Sequence, residues 1–210
     1  MHVLVLAKAP RPGRVKTRLC PPFSPQEAAA IAEAALRDTL DAVAHSRADR
    51  RIIALDGPPG PWLPPGFEII RQCAGGLDVR LAHAWMRAGG PGVQVGMDTP
   101  QITPELLNNA LDTLASPPAD SVLGGAADGG WWAIGLRDPA PEVFLGLPMS
   151  VPETCARQHA RLRALGLTVE WLPTLHDLDT ADDAVHHADR HPGTRTAALV
   201  RALLGSGARR

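Results

Sequence analysis

Leu6 to Leu19 reads LAKAPRPGRVKTRL, and the chain on either side of this stretch decides the fold. Before it lies an apolar run, Val3 to Ala7, of the kind required by a strand buried on both faces of a parallel sheet. Pro10, Pro12 and Gly13 then hold the stretch out of regular structure. Lys8, Arg11, Arg14, Lys16 and Arg18 lie in it with no acidic residue between them, so it is either a solvated basic loop or a loop built to hold an anion. Both of the chain's lysines, among 21 basic residues, fall here, where a compact point charge stands in place of the arginine fork.

Working outward, Ser24-Pro25-Gln26-Glu27 predicts a capped helix running through Val43, and Ile52 to Leu55 a second strand. Residues 57–66 hold five prolines and three glycines and predict a long surface loop, with Trp62 covering either the core or a ligand. Strands are expected at Phe67 to Ile70, Val93 to Val95, Ser121 to Gly124, Trp131 to Leu136 and Leu167 to Trp171. Helices are expected over Gly76 to Met86, from Thr103 to Leu114, from a capping box at Ser150 through Leu165, over Ala181 to Ala188 and over Thr194 to Leu204, with 205–210 frayed. His186, His187 and His191 are read as a solvated helix face. Strands alternating with helices in 210 residues point to one α/β domain with a mostly parallel sheet and helices on both faces.

A formal charge of −1 and three phenylalanines with no tyrosine give neither the field nor the stacking platforms of a nucleic-acid binder. Cys20, Cys73 and Cys155 are odd in number and widely spaced, which predicts reduced thiols and a cytoplasmic setting, and no apolar run is long enough to span a bilayer.

Ligands of such sheets bind at the carboxyl ends of the strands. That rule selects four loops: Lys8 to Leu19, Gly96 to Pro100, Gly124 to Gly130, and Leu175 to Thr180. Asp98, just past a buried strand, suits a Mg²⁺ or Mn²⁺ ion, which takes one or two carboxylates and completes its shell with phosphate oxygens and water; an ordinary Asx-turn is the other reading. Asp128, among four glycines, is either a metal ligand or general base or part of a tight turn. Asp177 and Asp179 form an Asp-x-Asp pair ahead of a helix, able to hold a cation or simply to cap. His176 beside them has a weaker claim as a ligand. Of Trp131 and Trp132, one is expected in the core and the other against a base or sugar. The sequence has no Gly-x-Gly-x-x-Gly, P-loop or Gly-x-Ser-x-Gly signature.

Four motifs, Ala7-Lys8-Ala9-Pro10 through Leu19, Gly96-Met97-Asp98-Thr99-Pro100, Asp128-Gly129-Gly130 with the following strand, and Asp177-Leu178-Asp179-Thr180, resemble those of a family of small bacterial glycosyltransferase-A-like proteins formerly described as a domain of unknown function. The resemblance implies a nucleotide-diphospho-sugar transferase fold, a divalent cation and a nucleotide-activated donor. In it, Asp98 would hold Mg²⁺ or Mn²⁺ on the diphosphate. Lys16 and Arg18 would neutralise the leaving phosphates with help from Lys8 or Arg14. Asp128 would orient or deprotonate an acceptor hydroxyl, and Asp179 would support metal or acceptor. The family more often has Ser or Thr at Met97 and a Tyr-Tyr-like pair at Trp131-Trp132. The enclosing superfamily includes nucleotidyltransferases acting on nucleoside triphosphates. The single glycine of the first loop, Gly13, favours glycosyl transfer from a nucleotide diphosphate sugar to a small-molecule acceptor, with guanylyl or cytidylyl transfer, or nucleotide binding without turnover, as alternatives.

Overall fold

The computed structural model describes residues 1–207. Its strands are β1 (His2–Lys8), β2 (Arg50–Asp56), β3 (Glu68–Arg71), β4 (Gly92–Val95), β5 (Ser121–Ala126), β6 (Trp131–Leu136) and β7 (Val169–Leu175). Its α-helices are α1 (Pro25–Ala44), α2 (Leu77–Ala88), α3 (Pro104–Ala115), α4 (Thr154–Ala164), α5 (Ala181–Arg190) and α6 (Arg195–Gly207). The strands form one sheet of order β3-β2-β1-β4-β6-β5-β7. β1 runs parallel to β2 and β4, β2 to β3, and β5 to β7; β6 alone is reversed, pairing antiparallel with β4 and β5. The carboxyl ends of the other six strands therefore share one edge, and the four loops selected from the sequence open there.

Val3, Leu4 and Val5 have no exposed surface because both sides of β1 are covered. Leu36, Leu40 and Val43 of α1 and Leu107, Leu111 and Leu114 of α3 pack with Val3, Val5, Val93 and Val95 on one face. Leu81 and Trp85 of α2 and Leu162 of α4 pack with Leu4, Ile52 and Ile134 on the other. A third cluster joins α1, α5 and α6 around Leu19, while Val15 is buried in the first. Two apolar anchors, Val15 and Leu19, thus fix the basic loop while Lys8, Arg11, Arg14 and Arg18 stay at the surface.

The expected caps form at Ser24 with Glu27, at Thr103, and at Thr180 with Asp183. One does not. α4 starts at Thr154 rather than at a capping box on Ser150, which sits at φ 61°, a left-handed conformation that cannot cap a helix. The Thr154 hydroxyl instead donates to the Val151 carbonyl at 2.7 Å. β7 lies later than expected, at Val169–Leu175, because Leu167 is spent closing α4, its N–H donating to the Leu162 carbonyl. His187 is buried rather than solvated: α6 folds back over α5, and the His187 Nε2 pairs with the Thr194 hydroxyl at 2.8 Å. Burial, then repulsion from His191, lowers its pKa to about 4. Trp62 covers the core. The expected final helix extends to Gly207, so 205–207 are helical, and the rest of the expected frayed tail, 208–210, lies outside the described residues.

Candidate active site

The four loops enclose a cleft of about 540 Å³ at the carboxyl edge of the sheet, and Lys8, Arg14, Lys16, Arg18, Asp98, Asp128, Asp177 and Asp179 all border it. Two backbone links set the frame. Met97 Sδ accepts the Lys8 N–H at 3.2 Å, and the Leu178 N–H donates to the Asp98 carbonyl at 2.8 Å, so the first, second and fourth loops are tied through the Asp98 segment. Gly96 lets the Asp98 carboxylate fold back over the strand end, where a Cβ would stand 2.6 Å from Oδ1.

Lys16 is the centre of the arrangement. Its side chain is 8% exposed, and its Nζ donates to Asp98 Oδ2 at 3.1 Å and to Asp179 Oδ1 at 2.6 Å. Burial penalises the ammonium, but the two carboxylates outweigh that cost and hold its pKa above the ordinary lysine value. The residue is held at φ 46°, ψ 40°, a strained setting for a side-chain-bearing residue. Arg18 lies 3.8 Å from Asp179 Oδ2 and is largely exposed, a pair worth little in water. Lys8 and Arg14 are exposed at the rim. Lys16, expected to face phosphate, thus pairs with two carboxylates of the same cleft.

Asp177 is the carboxylate that the sequence undervalued. It is driven to a pKa of about 7 by burial first, then by the negative charges of Asp98 and Asp128, against a hydrogen bond of 3.2 Å donated by the Thr99 hydroxyl. Asp128 Oδ1 accepts the Gly130 N–H at 2.8 Å, so the turn reading holds for one oxygen while the residue also borders the cleft. The turn is fixed from outside: a Cβ on Gly129 would fall 1.9 Å from the Pro152 carbonyl oxygen. Asp179 does not cap α5, a task taken by Thr180 and Asp183. His176 is exposed, with its ring 5.2 Å from that of His186, and does not border the cleft. Trp132 is buried with Nε1 on the Pro173 carbonyl at 2.9 Å, and Trp131 borders the cleft, the split expected of the pair.

The carboxylates fit a hard divalent cation. A single positive charge, the Lys16 ammonium, sits within 3.1 Å of oxygens from both Asp98 and Asp179, and the pKa of a third carboxylate, Asp177, is raised by burial and then by the charges of Asp98 and Asp128. Among the described residues no group of three or more His, Cys, Asp or Glu side chains is placed to hold a metal ion, so the two carboxylates on Lys16 are the ligands the chain itself offers.

Asp177 makes this balance measurable. A carboxylate whose pKa is raised on folding favours the native state below its unfolded value near 3.8, and that advantage is lost as pH rises to about 7. Asp177→Asn keeps an acceptor for Thr99 and removes the charge. The metal-free variant should melt about 2–4 °C above the wild type at pH 8 and level with it below pH 4, by scanning calorimetry in chelator. No difference at pH 8 would mean that the carboxylate is not strained.

With this geometry in place, the relatives can be compared. A family profile described as an uncharacterized protein conserved in bacteria (DUF2064) matches residues 28–151, a span that includes Asp98 and Asp128. The chain belongs to the DUF2064 family. The DUF2064 chain is 29% identical over 207 residues to a 3-phospho-D-glycerate guanylyltransferase from Phenylobacterium zucineum (strain HLK1), covering 88% of itself and 89% of that relative. It superimposes on a crystal structure described as a nucleotide-diphospho-sugar transferase from Desulfovibrio desulfuricans G20, with a TM-score of 0.83, 28% identity, and 96% and 94% coverage of the two chains. A cytidylyltransferase from Leptospira borgpetersenii serovar Hardjo-bovis (strain JB197) shares the fold at 12% identity, with a TM-score of 0.59 over 99% and 94% of the two chains. The chain therefore has the fold of nucleotide-dependent transferases, and among the described residues no helix is long and apolar enough to cross a membrane.

Proposed function

We propose that this protein is a divalent-cation-dependent nucleotidyltransferase that moves a nucleoside monophosphate, guanylate first, from a triphosphate to a small phosphorylated acceptor. The observation that carries the reading is the similarity to a guanylyltransferase along nearly the whole chain. It reverses the preference for glycosyl transfer drawn from the single glycine of the first loop. That preference keeps one support, the description of the Desulfovibrio desulfuricans relative.

Asp98 and Asp179, with Asp177 once deprotonated, would hold Mg²⁺ or Mn²⁺, which when bound screens the triphosphate charge and polarises its oxygens. Lys8, Arg14 and Arg18 at the rim, and Lys16 once released from its carboxylates, would hold the β- and γ-phosphates. An acceptor phosphate oxygen attacks the α-phosphorus, the bond from that phosphorus to the bridging oxygen breaks, and pyrophosphate leaves with the electron pair. Cations fixed before the reaction stabilise that departing charge without reorganising. A phosphate acceptor is already an anion and needs no general base, so Asp128 is left to orient the acceptor's hydroxyl.

The test is pyrophosphate release from GTP, ATP, CTP and UTP with Mg²⁺ or Mn²⁺, with and without 3-phosphoglycerate. Acceptor-dependent release is the expected result. Release of nucleoside diphosphate from a nucleotide sugar, with no pyrophosphate from any triphosphate, would restore glycosyl transfer.

A further inference from the structure

Beneath the charged mouth the cleft continues onto the α2 side of the sheet, and here the structure leaves polar atoms without partners. Gln94 lies in β4 between Leu4 and Ile134 in the strand register, and both neighbours belong to the core on that face. Gln94 is 1% exposed, borders the cleft, and its Oε1 has no hydrogen-bond partner. Two buried donors bordering the same cleft are also unpartnered: Arg80 Nε and Trp131 Nε1. Three of the nine such atoms among the described residues thus border one cavity. Buried polar groups are nearly always paired, so one acceptor and two donors left open beside a cleft mark what a ligand supplies.

The walls narrow the choice of ligand. Leu77, Leu81 and Met149 also border the cleft, apolar surfaces suited to the faces of a flat ring. Arg80 is steadied by Nη1 donating to Gln72 Oε1 at 3.1 Å, and Gln72 is itself fixed on the Ala7 and Ala54 carbonyls. An acceptor carrying several negative charges would need more cations than this, and of the others Lys8, Arg14 and Arg18 are exposed while Lys16 is held by Asp98 and Asp179.

We propose that this inner part of the cleft is a nucleobase slot in which Gln94 and Arg80 read the edge of a guanine ring. Guanine offers N1–H and N2–H donors to Gln94 Oε1 and its O6 and N7 acceptors to the Arg80 and Trp131 N–H groups. The inference rests on the nucleotidyl-transfer reading for its ligand, but its test is a binding measurement that needs no turnover.

Titration calorimetry of the full chain with Mg²⁺ compares GTP, ATP, CTP, UTP and inorganic triphosphate for wild type, Gln94→Leu and Arg80→Lys. The wild type should prefer GTP. Gln94→Leu should bind GTP about 10- to 100-fold more weakly, level the four nucleotides, and leave inorganic triphosphate unchanged. Arg80→Lys keeps the charge but loses the Nε–H, and should erode the GTP preference in the same direction. Equal weakening of GTP and inorganic triphosphate, or an intact base preference in both variants, would overturn the slot. Selective GTP binding lost in Gln94→Leu, without pyrophosphate release by the wild type, would sink the reaction and leave the slot standing. A wild type that binds no nucleotide more tightly than inorganic triphosphate would sink both.

Discussion

Asp98→Asn is expected to lower turnover by about 10³-fold or more while leaving the fold in place. The carboxamide fills the same space over Gly96 but carries no charge, so it loses both its grip on a divalent cation and one of the two carboxylates that hold Lys16. Asp98 is 38% exposed, and solvent screening limits the loss of stability to about 1 kcal/mol or less. Kinetics at saturating nucleotide with Mg²⁺ or Mn²⁺, beside a melting curve, separates the two effects. The melting temperature should change little, and the cation should no longer raise it. Turnover like the wild type's at saturating cation would remove Asp98 from the metal.

Much of the frame was legible because local signals and burial agreed. A continuous apolar run at Val3 to Ala7 can be stable only when covered on both faces, and β1 is covered on both. Ser24, Thr103 and Thr180 cap helices because each has a side-chain oxygen at the position where a first-turn N–H lacks a partner. The rule that ligands gather at strand carboxyl ends gathered Lys8, Arg14, Lys16, Arg18, Asp98, Asp128 and Asp179 around one cleft.

What escaped the sequence depended on partners far away in the chain. Ser150-Val151-Pro152-Glu153 has the letters of a capping box, but Gly129 packs against the Pro152 carbonyl and the Cys155 N–H donates to the Gly129 carbonyl, which delays α4 to Thr154. His187 looked solvated because the return of α6 is not written in α5. Asp177 could be paired with Asp179 by spacing, yet its raised pKa arises from burial and then from Asp98 and Asp128, contributed by two other loops. Gln94 gave no signal beyond a polar residue inside an apolar strand, which is itself the clue a second reading would use.

Lys16→Met carries the other large effect and probes how the site is kept ready. The buried ammonium balances Asp98 and Asp179, although its own backbone is strained to place it there. Removing that charge leaves two carboxylates, each more than a third exposed, to repel each other beside Asp177, at a cost of about 1–2 kcal/mol after screening. In chelator the variant should melt about 2–8 °C below the wild type. A divalent cation bound by the same carboxylates must displace Lys16 in the wild type but not in the variant. Mg²⁺ or Mn²⁺ alone should therefore bind Lys16→Met more tightly and raise its melting temperature more, a linkage that follows from binding to the native state only. Turnover should nevertheless fall if, as proposed, the displaced lysine is the cation that meets the departing pyrophosphate. Equal cation affinity in the two proteins would place the metal away from Asp98 and Asp179. Undiminished turnover in Lys16→Met would confine the lysine to balancing the carboxylates.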